Sequence, residues 1–353
     1  MNICFLEGDM SRKGGTERMT AMIANALSET HRVFVVTLKS EADHVFFSLA
    51  DSVLHTVLSP AAGKLGILLQ IRQIHRFLLE HQIDRVINVD TGMSIYGIPA
   101  AWGTKAKVIT WEHANYFNNW GSRIFPYIRR FAARHSDAMV VLTEQDKENY
   151  ETHIPSKVPV YVIANPVQPH EFSYDASSRM ILSAGALLPI KGYDRAIEAA
   201  KRILPSRPAW KWVICGEGPE REPLERLIRE AGLEQQMFLP GTVRDMESQY
   251  RRAAMVVMTS HMEGLPMVLL EAKSYGLPLV SFDIMTGPRD IIEDGVNGSL
   301  IPPDNVGVMA EKLSSLMDHE EFRVSFSAAS QNGIENFEWK RVLGQWETLL
   351  VSL

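Results

Sequence analysis

The sequence predicts an α/β protein with two domains, each built on a parallel sheet that is covered by helices on both faces. Short apolar strands alternate with helical segments along almost the whole chain, which is typical of this class. The alternation stops at residues 165–178, where Pro166 and Pro169 fall in a stretch without periodicity, and then starts again. A length of 353 residues suits two domains of ordinary size. We therefore expect a first domain over residues 1–165 and a second over residues 166–336.

In the first domain, apolar side chains at helical spacing predict helices over Thr16–Leu27 and Leu65–Leu79. Its strands are expected at Asn2–Leu6, Arg32–Leu38, Arg85–Asn88, Lys107–Thr110, Ala138–Leu142 and Val158–Ile163.

In the second domain, strands are expected at Met180–Ser183, Trp210–Cys215, Gln236–Leu239, Met255–Met258 and Leu279–Phe282. Its helices are expected at Tyr193–Ile203, Glu220–Ala231 and Pro266–Tyr275. Proteins of this class bind ligands at the carboxyl ends of the strands, so we expect a site in a cleft between the two domains. The amphipathic last segment, Glu335–Leu353, is either a surface helix of the second domain or a helix that packs on the first.

Composition excludes several functional classes. The formal net charge of −6 gives no reason to expect a nucleic-acid partner. Cys4 and Cys215 each fall in an apolar run, so a disulfide framework is not expected. Free cysteines of this kind are typical of a reducing compartment, and we expect a cytoplasmic location. The start of the chain resembles a strand more than a signal peptide, and no apolar stretch approaches the ~18–20 residues of a membrane span.

The most informative segment lies between Glu263 and Glu271, two carboxylates eight residues apart. Pro266 suits the first position of a helix, because it lacks an N–H group and has a fixed φ. Glu263 is then in the loop before a helix N-terminus, and Glu271 is inside the helix. Backbone N–H groups at such a start, with those of Gly264 and Leu265, can bind phosphate. The simpler interpretation is a capped helix with one loop glutamate and one solvated glutamate.

Glycine-containing loops follow three of the predicted strands. Gly14 and Gly15 precede the helix Thr16–Leu27, and paired glycines permit a positive φ and close approach to a ligand. Gly216 and Gly218 form a strand-to-helix turn, and Thr242 and Val243 follow another strand. None of these is the Gly-x-Gly-x-x-Gly fingerprint of dinucleotide-binding enzymes, so a dehydrogenase is disfavoured.

Together these motifs resemble the retaining glycosyltransferases of family 4, which have the GT-B fold of two Rossmann-like domains and a Glu-x7-Glu signature. The order of the motifs matches over nearly the whole chain. Residues 185–192, Gly-Ala-Leu-Leu-Pro-Ile-Lys-Gly, resemble the element in which an arginine and a lysine neutralise the donor diphosphate. Lys191 matches that lysine, but Ala186 replaces the arginine. Arg289 is a candidate auxiliary phosphate contact, without support from a motif.

The resemblance also implies roles for the other residues. Glu263 would hold hydroxyls of the donor sugar, and Glu271 would accept the ribose hydroxyls. His113 follows the strand Lys107–Thr110 and matches a histidine that the family places near the donor sugar. Gly14 and Gly15 would face the diphosphate and the acceptor, Gly216 and Gly218 would lie near the nucleotide, and Thr242 and Val243 would lie near the base. The resemblance also implies that a terminal helix, at about residues 337–353, packs back on the first domain.

Residues Trp120–His135 alternate apolar and basic side chains, among them Arg123, Arg129, Arg130 and Arg134. An apolar face beside a basic face suits adsorption to anionic lipid. Family members that elongate lipid-linked glycans often use such a surface. The alternative is an ordinary helix with one buried and one solvated face.

The implied activity is the retaining transfer of a hexose from a nucleotide sugar, UDP-hexose or UDP-HexNAc, to a hydroxyl of a glycan or lipid-linked glycan. The variant 287–292, Gly-Pro-Arg-Asp-Ile-Ile, resembles members that assemble surface polysaccharides such as lipopolysaccharide. No cofactor and no metal are expected, because no Asp-x-Asp occurs in a suitable strand context. The alternatives are a UDP-sugar 2-epimerase of the same fold and a catalytically silent protein that binds sugar nucleotides.

Overall fold

The computed structural model describes residues 1–42, 44–59, 63–154 and 158–353. The chain divides into two compact units, one of Met1–Asn165 with Lys340–Leu353 and one of Pro166–Trp339. The division between Asn165 and Pro166 falls at the boundary that the loss of periodicity predicts. The last helix belongs to the first unit, which decides between the two alternatives for the terminal segment.

The first unit contains a seven-stranded sheet in the order β3-β2-β1-β4-β5-β6-β7, and every pair in it is parallel. The strands are β1 (Asn2–Glu7), β2 (Arg32–Thr37), β3 (Val53–Val57), β4 (Arg85–Val89), β5 (Lys107–Trp111), β6 (Ala138–Val141) and β7 (Val160–Val162). The helices are α1 (Gly15–Leu27), α2 (Gly63–Glu80), α3 (Ser94–Ala101), α4 (Phe125–His135) and α5 (Glu144–His153). Because all strands are parallel, their carboxyl ends meet at one edge.

The second unit contains a six-stranded parallel sheet in the order β10-β9-β8-β11-β12-β13. The strands are β8 (Met180–Ala184), β9 (Lys211–Cys215), β10 (Met237–Gly241), β11 (Met255–Met258), β12 (Leu279–Phe282) and β13 (Gly298–Ile301). The helices are α6 (Tyr193–Ile203), α7 (Arg221–Glu230), α8 (Met246–Arg252), α9 (Met267–Ser274), α10 (Pro288–Ile291), α11 (Val306–Asp318) and α12 (Glu320–Ala329).

Every predicted strand and helix is present, but β3 and β13 are not among the predicted strands. Both are edge strands of their sheets, and their sequences are less apolar than those of the central strands. A central parallel strand is buried on both faces and therefore has a continuous apolar run, whereas an edge strand does not need one. The helices α3, which is mostly apolar, and α5, which is mostly polar, are also not among the predicted elements, because neither has the periodic apolar face that predicts a helix.

The terminal helix α13 (Trp339–Ser352) packs on the first sheet. Trp346 is fully buried, and its ring meets that of Trp111 edge-to-face with 5.0 Å between the ring centroids. Glu347 accepts hydrogen bonds from Thr30 (3.1 Å) and is 2.9 Å from His31, just after α1. The side chain of Arg85 donates to the carbonyl of Leu350. The last helix is therefore part of the core of the first unit.

Replacing Trp346 with alanine should destabilise the first unit by about 3–5 kcal/mol, because a large buried side chain leaves a cavity. Urea unfolding of the full chain, followed by circular dichroism, measures the effect. The matched control is Val351→Ala in the same helix, whose side chain is exposed and whose loss should change the free energy of unfolding by less than about 0.5 kcal/mol. Equal effects of the two substitutions would contradict the packing described for α13.

Candidate active site

The loops at the carboxyl edge of the second sheet contain most of the predicted site residues. Lys191 ends a short 3-10 turn in the loop after β8, and Glu263 lies in the loop after β11. These two strands are neighbours in the sheet. The loop after β9 contains Gly216 and Gly218, and the loop after β10 contains Thr242 and Val243. His113, Gly14 and Gly15 belong to the first unit.

Lys191 and Glu263 form an ion pair in which the Lys191 Nζ lies 2.6 Å from the Glu263 Oε1. Their side chains are 25% and 13% exposed, so the pair is partly shielded from water but still reachable from it. The hydroxyl of buried Ser260 donates to the same carboxylate oxygen at 2.6 Å. A lysine has three N–H donors, so Lys191 can bind a further anion while it stays paired.

Backbone contacts fix the loops that contain this pair. The Thr259 hydroxyl donates to the carbonyl of Lys191 at 3.1 Å, and the His261 N–H donates to that of Ile190 at 2.8 Å. The Thr286 hydroxyl donates to the carbonyl of Glu263 at 2.5 Å. The loops after β8, β11 and β12 are therefore joined by hydrogen bonds around one carboxylate.

Arg195 also contacts these loops. Its side chain is mostly buried, donates to the carbonyl of Thr259 and to Asp304, and lies 4.4 Å from the ring centroid of Phe282. A Cβ atom on Gly192 would lie 2.3 Å from that Thr259 carbonyl oxygen and 2.8 Å from the Arg195 Nε. Only glycine therefore fits directly after Lys191.

The structure corrects the predicted start of the next helix by one residue. Pro266 is the N-cap with φ −74° and ψ 105°, and α9 begins at Met267. Leu265 and Pro266 are buried, and Gly264 precedes them in the loop. A Cβ atom on Gly287 would lie 2.3 Å from the Pro266 Cδ and 2.9 Å from the Gly264 carbonyl oxygen. The loop after β12 is thus packed directly against the start of α9.

Glu271, the second carboxylate of the motif, has a different partner from the first. It lies in α9, and its Oε2 accepts a hydrogen bond of 2.6 Å from the hydroxyl of Tyr250 in α8. Nothing in the sequence near Glu271 indicates this partner, because Tyr250 is 21 residues away along the chain.

The glycines after β9 are required by packing within the second unit. A Cβ atom on Gly216 would lie 1.9 Å from the Gly185 carbonyl oxygen, and one on Gly218 would lie 2.4 Å from that of Leu187. The turn therefore lies directly against the loop that leads to Lys191. Thr242, which follows β10, is exposed, and Val243 is half-buried.

Arg289 forms a two-point ion pair with Asp283, with distances of 2.6 and 2.5 Å. Its side chain is 72% exposed and lies in α10, the short helix that begins next to Gly287. The guanidinium is therefore close in sequence to the loop that touches the start of α9, but it is paired with a carboxylate.

In the first unit, His113 lies two residues after the end of β5. Its ring lies 4.1 Å from that of Trp111, and the Nε2 atom is buried without a hydrogen-bond partner. Burial lowers the pKa of His113 to about 3. The imidazole is therefore neutral at physiological pH and can exchange hydrogen bonds with hydroxyl groups rather than donate a charge.

Gly14 and Gly15 do not adopt the positive φ that glycine permits. Gly14 is the N-cap of α1 with φ −91°, and Gly15, the first residue of the helix, does not have a positive φ either. A Cβ atom on Gly14 would lie 2.1 Å from a carboxylate oxygen of Glu17. The small residue is needed because this buried glutamate folds back over the helix start.

Buried carboxylates at the carboxyl edge of the first sheet were not predicted. Glu7 ends β1, and Asp90 directly follows the neighbouring strand β4. Burial, and then repulsion by Asp90, raise the pKa of Glu7 to about 8. Burial and the Glu112 carboxylate likewise raise the pKa of Asp90. Acidic residues that end two neighbouring parallel strands are the sequence signal that could have revealed this cluster.

The structure also corrects one of the four arginines of the expected membrane surface. Arg129 is buried, donates to Asn119 and to the Asn118 carbonyl, and lies over the rings of Tyr116 and Phe125. It is therefore unavailable to a lipid headgroup. The exposed side chains of this region include Trp120, Arg123, Ile124, Tyr127, Arg130 and Arg134.

Among residues 1–42, 44–59, 63–154 and 158–353, no helix is both long and apolar enough to span a bilayer. In the same ranges, no three histidine, cysteine or acidic side chains form a group that could hold a metal ion.

Replacing Glu7 with glutamine should change how stability depends on pH. Because the pKa of Glu7 rises from 4.5 to about 8 on folding, the folded state holds a proton that the unfolded state releases. That contribution is complete below pH 4.5 and is lost as the pH rises to 8. The free energy of unfolding should therefore fall between pH 5 and pH 8 in the wild type, and in Glu7→Gln this fall should be smaller by about 1–3 kcal/mol. The control is Glu29→Gln, whose side chain is exposed and whose stability should follow pH as that of the wild type does. If the free energy of unfolding depends on pH identically in Glu7→Gln and the wild type, the raised pKa of Glu7 is contradicted.

The sequence and the fold match known families over most of the chain. Residues 13–171 match the family model described as Glycosyltransferase Family 4, and residues 168–333 match the one described as Glycosyl transferases group 1. The two matches together cover residues 13–333.

Relatives and solved structures of similar length support this match. The chain is 27% identical to an uncharacterized glycosyltransferase of Haemophilus influenzae, with 99% of each chain covered. It is 26% identical to a Campylobacter jejuni enzyme named GalNAc-alpha-(1->4)-GalNAc-alpha-(1->3)-diNAcBac-PP-undecaprenol alpha-1,4-N-acetyl-D-galactosaminyltransferase, with 100% of this chain and 99% of that one covered. The fold matches Anabaena Alr3699/HepE in complex with UDP and glucose, with a TM-score of 0.84 at 18% identity and 100% of both chains covered. The fold prediction is thus confirmed, and the chain belongs to the family 4 glycosyltransferases, with two Rossmann-like domains of the GT-B type.

Proposed function

We propose that this protein is a retaining, metal-independent hexosyltransferase. It transfers a sugar from UDP-hexose or UDP-HexNAc to a hydroxyl of a glycan or lipid-linked glycan that is used in surface polysaccharide assembly. The ion pair between Lys191 and Glu263, at the carboxyl edge of the second sheet, is the observation that carries this proposal.

The chemistry of the transfer explains why such a pair is suited to it. As the anomeric C–O bond breaks, negative charge grows on the departing diphosphate and positive charge grows on the sugar. The Lys191 ammonium and the N–H groups of Gly264 and Leu265 would stabilise the first of these charges. The Glu263 carboxylate, held by Ser260, would bind sugar hydroxyls and keep the anomeric carbon in position.

The remaining predicted residues have supporting roles in the proposal. Glu271 would accept the ribose hydroxyls, and Thr242 and Val243 would lie near the base. Gly14, Gly15, Gly216 and Gly218 would let the backbone approach the diphosphate, with Arg289 as an auxiliary contact. His113 would bind donor sugar hydroxyls through its neutral ring, since burial lowers its pKa to about 3.

Retention is proposed to occur without a covalent enzyme intermediate. The acceptor hydroxyl would attack from the face that the diphosphate leaves, and the leaving phosphate would take the acceptor proton. Glu263 is therefore assigned to binding rather than to nucleophilic attack, unlike the second carboxylate of a retaining glycosidase. The new bond would have the same anomeric configuration as the donor.

The relatives' names support the donor and acceptor classes. The Campylobacter enzyme is named for transfer to an undecaprenol diphosphate-linked glycan, and the Anabaena structure contains UDP and glucose. A lipid-linked acceptor would place the protein at the inner face of the plasma membrane, in the cytoplasm. The exposed Arg123, Arg130 and Arg134 beside exposed Ile124 and Tyr127 are proposed to contact that surface.

The function is tested by a screen of UDP-glucose, UDP-galactose, UDP-GlcNAc, UDP-GalNAc and GDP-mannose, with and without undecaprenyl diphosphate-linked oligosaccharides. Without an acceptor, we expect slow hydrolysis of one UDP-sugar. With an acceptor, UDP should be released faster, and proton NMR should show an α-linked product. Conversion of the free UDP-sugar to its 2-epimer would identify an epimerase instead. Tight binding without hydrolysis or transfer would identify a silent binding protein, and a β-linked product would disprove retention.

Replacing Lys191 with alanine should lower kcat by on the order of 100- to 1,000-fold, because one preorganised cation at the leaving group is lost. The fold should survive, since the side chain is a quarter exposed. The control is Lys201→Ala in α6, whose exposed ammonium pairs with Glu198. Unchanged transfer by the Lys191→Ala protein would remove the leaving-group argument.

Replacing Arg123, Arg130 and Arg134 together with glutamine should weaken binding to phosphatidylglycerol-containing vesicles. Each arginine near an anionic surface contributes about 1 kcal/mol, so the triple variant should bind on the order of 100-fold less tightly. Vesicle sedimentation measures this, with the exposed Arg226, Arg229 and Arg252 of the second unit replaced as the matched control. Equal loss in both variants would indicate an effect of net charge rather than of this surface.

A further inference from the structure

Tyr250 links two helices of the second unit through its hydroxyl group. It lies in α8 and is almost fully buried, and the hydroxyl donates to the Glu271 Oε2 in α9 at 2.6 Å. Glu271 itself is half-buried. A buried tyrosine hydroxyl therefore holds the carboxylate of a residue that is not fully enclosed.

The Tyr250 ring is fixed by a stack of three rings. It lies nearly parallel to Tyr275, with 5.2 Å between centroids and 17° between planes. The Tyr275 ring stacks on that of His170, with 4.1 Å between the centroids and 10° between the planes. Offset stacking of this kind restricts ring rotation. The position of the hydroxyl is thus set by packing and does not depend on the bond to Glu271.

This arrangement has a consequence for hydrogen bonding at Glu271. A glutamate side chain has three rotatable torsions, and a bond from a fixed donor selects one orientation of the carboxylate. Two carboxylate oxygens offer about four acceptor sites, so a bond from Tyr250 leaves capacity for vicinal hydroxyls. Side chains that are ordered before binding lose less entropy when a ligand binds.

We propose that Tyr250 is the positioning residue that orients Glu271 toward the ribose 2′- and 3′-hydroxyls, and that it thereby sets the preference for a ribonucleotide donor. This inference rests on the proposed function, in which Glu271 accepts those hydroxyls. Tyr250 touches the carboxylate and acts only through it.

The test measures calorimetric binding of UDP and of 2′,3′-dideoxy-UDP to the full-length wild-type protein and to Tyr250→Phe. The wild type should bind UDP more tightly than the dideoxy compound. Tyr250→Phe should weaken UDP binding by about tenfold, the usual effect of a hydrogen bond to a charged group, and change dideoxy-UDP binding by less than roughly twofold. A purely structural role would weaken both ligands equally, and that result would overturn the proposal.

The matched control is Tyr275→Phe, which makes the same chemical change in the neighbouring ring of the stack and should leave both affinities unchanged. A second variant, Glu271→Asp, keeps Tyr250 intact but withdraws the carboxylate by one methylene. It should lose the same preference for UDP, which keeps the test decisive if Tyr250→Phe does not fold. An undiminished preference in Glu271→Asp would overturn the proposal.

Glu271→Gln separates failure of this inference from failure of the proposed function. If Glu271→Gln loses the preference for UDP and Tyr250→Phe keeps it, only the role of Tyr250 is wrong. If neither variant affects the preference, or if the wild type does not bind UDP, the assignment of Glu271 to ribose is wrong and the inference falls with it.

Discussion

The Lys191–Glu263 ion pair is the contact on which the geometry of the candidate site depends. It joins two loops that are 72 residues apart along the chain but follow neighbouring strands. A partly buried ion pair adds little net stability, because the loss of hydration offsets the attraction. Its value lies in specificity: Ser260 donates to the Glu263 carboxylate, Thr286 to the Glu263 carbonyl and Thr259 to the Lys191 carbonyl, so the two loops have one arrangement in which all these groups are satisfied.

The sequence predicted the central strands of both sheets and the two residues of this pair, because both depend on local patterns. Central parallel strands have continuous apolar runs, and Lys191 and Glu263 occur in recognisable motifs. Tyr250, Thr286 and Arg195 could not be predicted, because their partners are brought to them only by the packing of the second unit. Arg129 shows the opposite error: a charged side chain in an amphipathic pattern was expected in solvent, but two asparagines and two aromatic rings bury it.

The carboxyl edges of the two sheets have different electrostatic character, each considered by itself. In the second unit, an ammonium group and the N-terminus of α9 favour anions. In the first unit, the edge contains Glu7, Asp90 and the neutral His113, and burial raises the pKa of both acids. Acids with raised pKa values and a neutral imidazole can both donate and accept hydrogen bonds, which is the chemistry that recognises hydroxyl groups. The division of roles between phosphate and sugar that we propose follows this difference.

In the function that we propose, the alanine at position 186 changes how the second edge attracts a diphosphate. Glu263 already offsets the charge of Lys191, and Asp283 likewise offsets that of Arg289. The pairs therefore contribute little net charge, and steering from a distance is weak. Attraction then has to come from short-range donors: the second and third N–H bonds of Lys191 and the backbone amides at the start of α9. Such donors act only on a correctly placed phosphate, so the replacement of arginine by alanine shifts the site from charge attraction toward geometric selection.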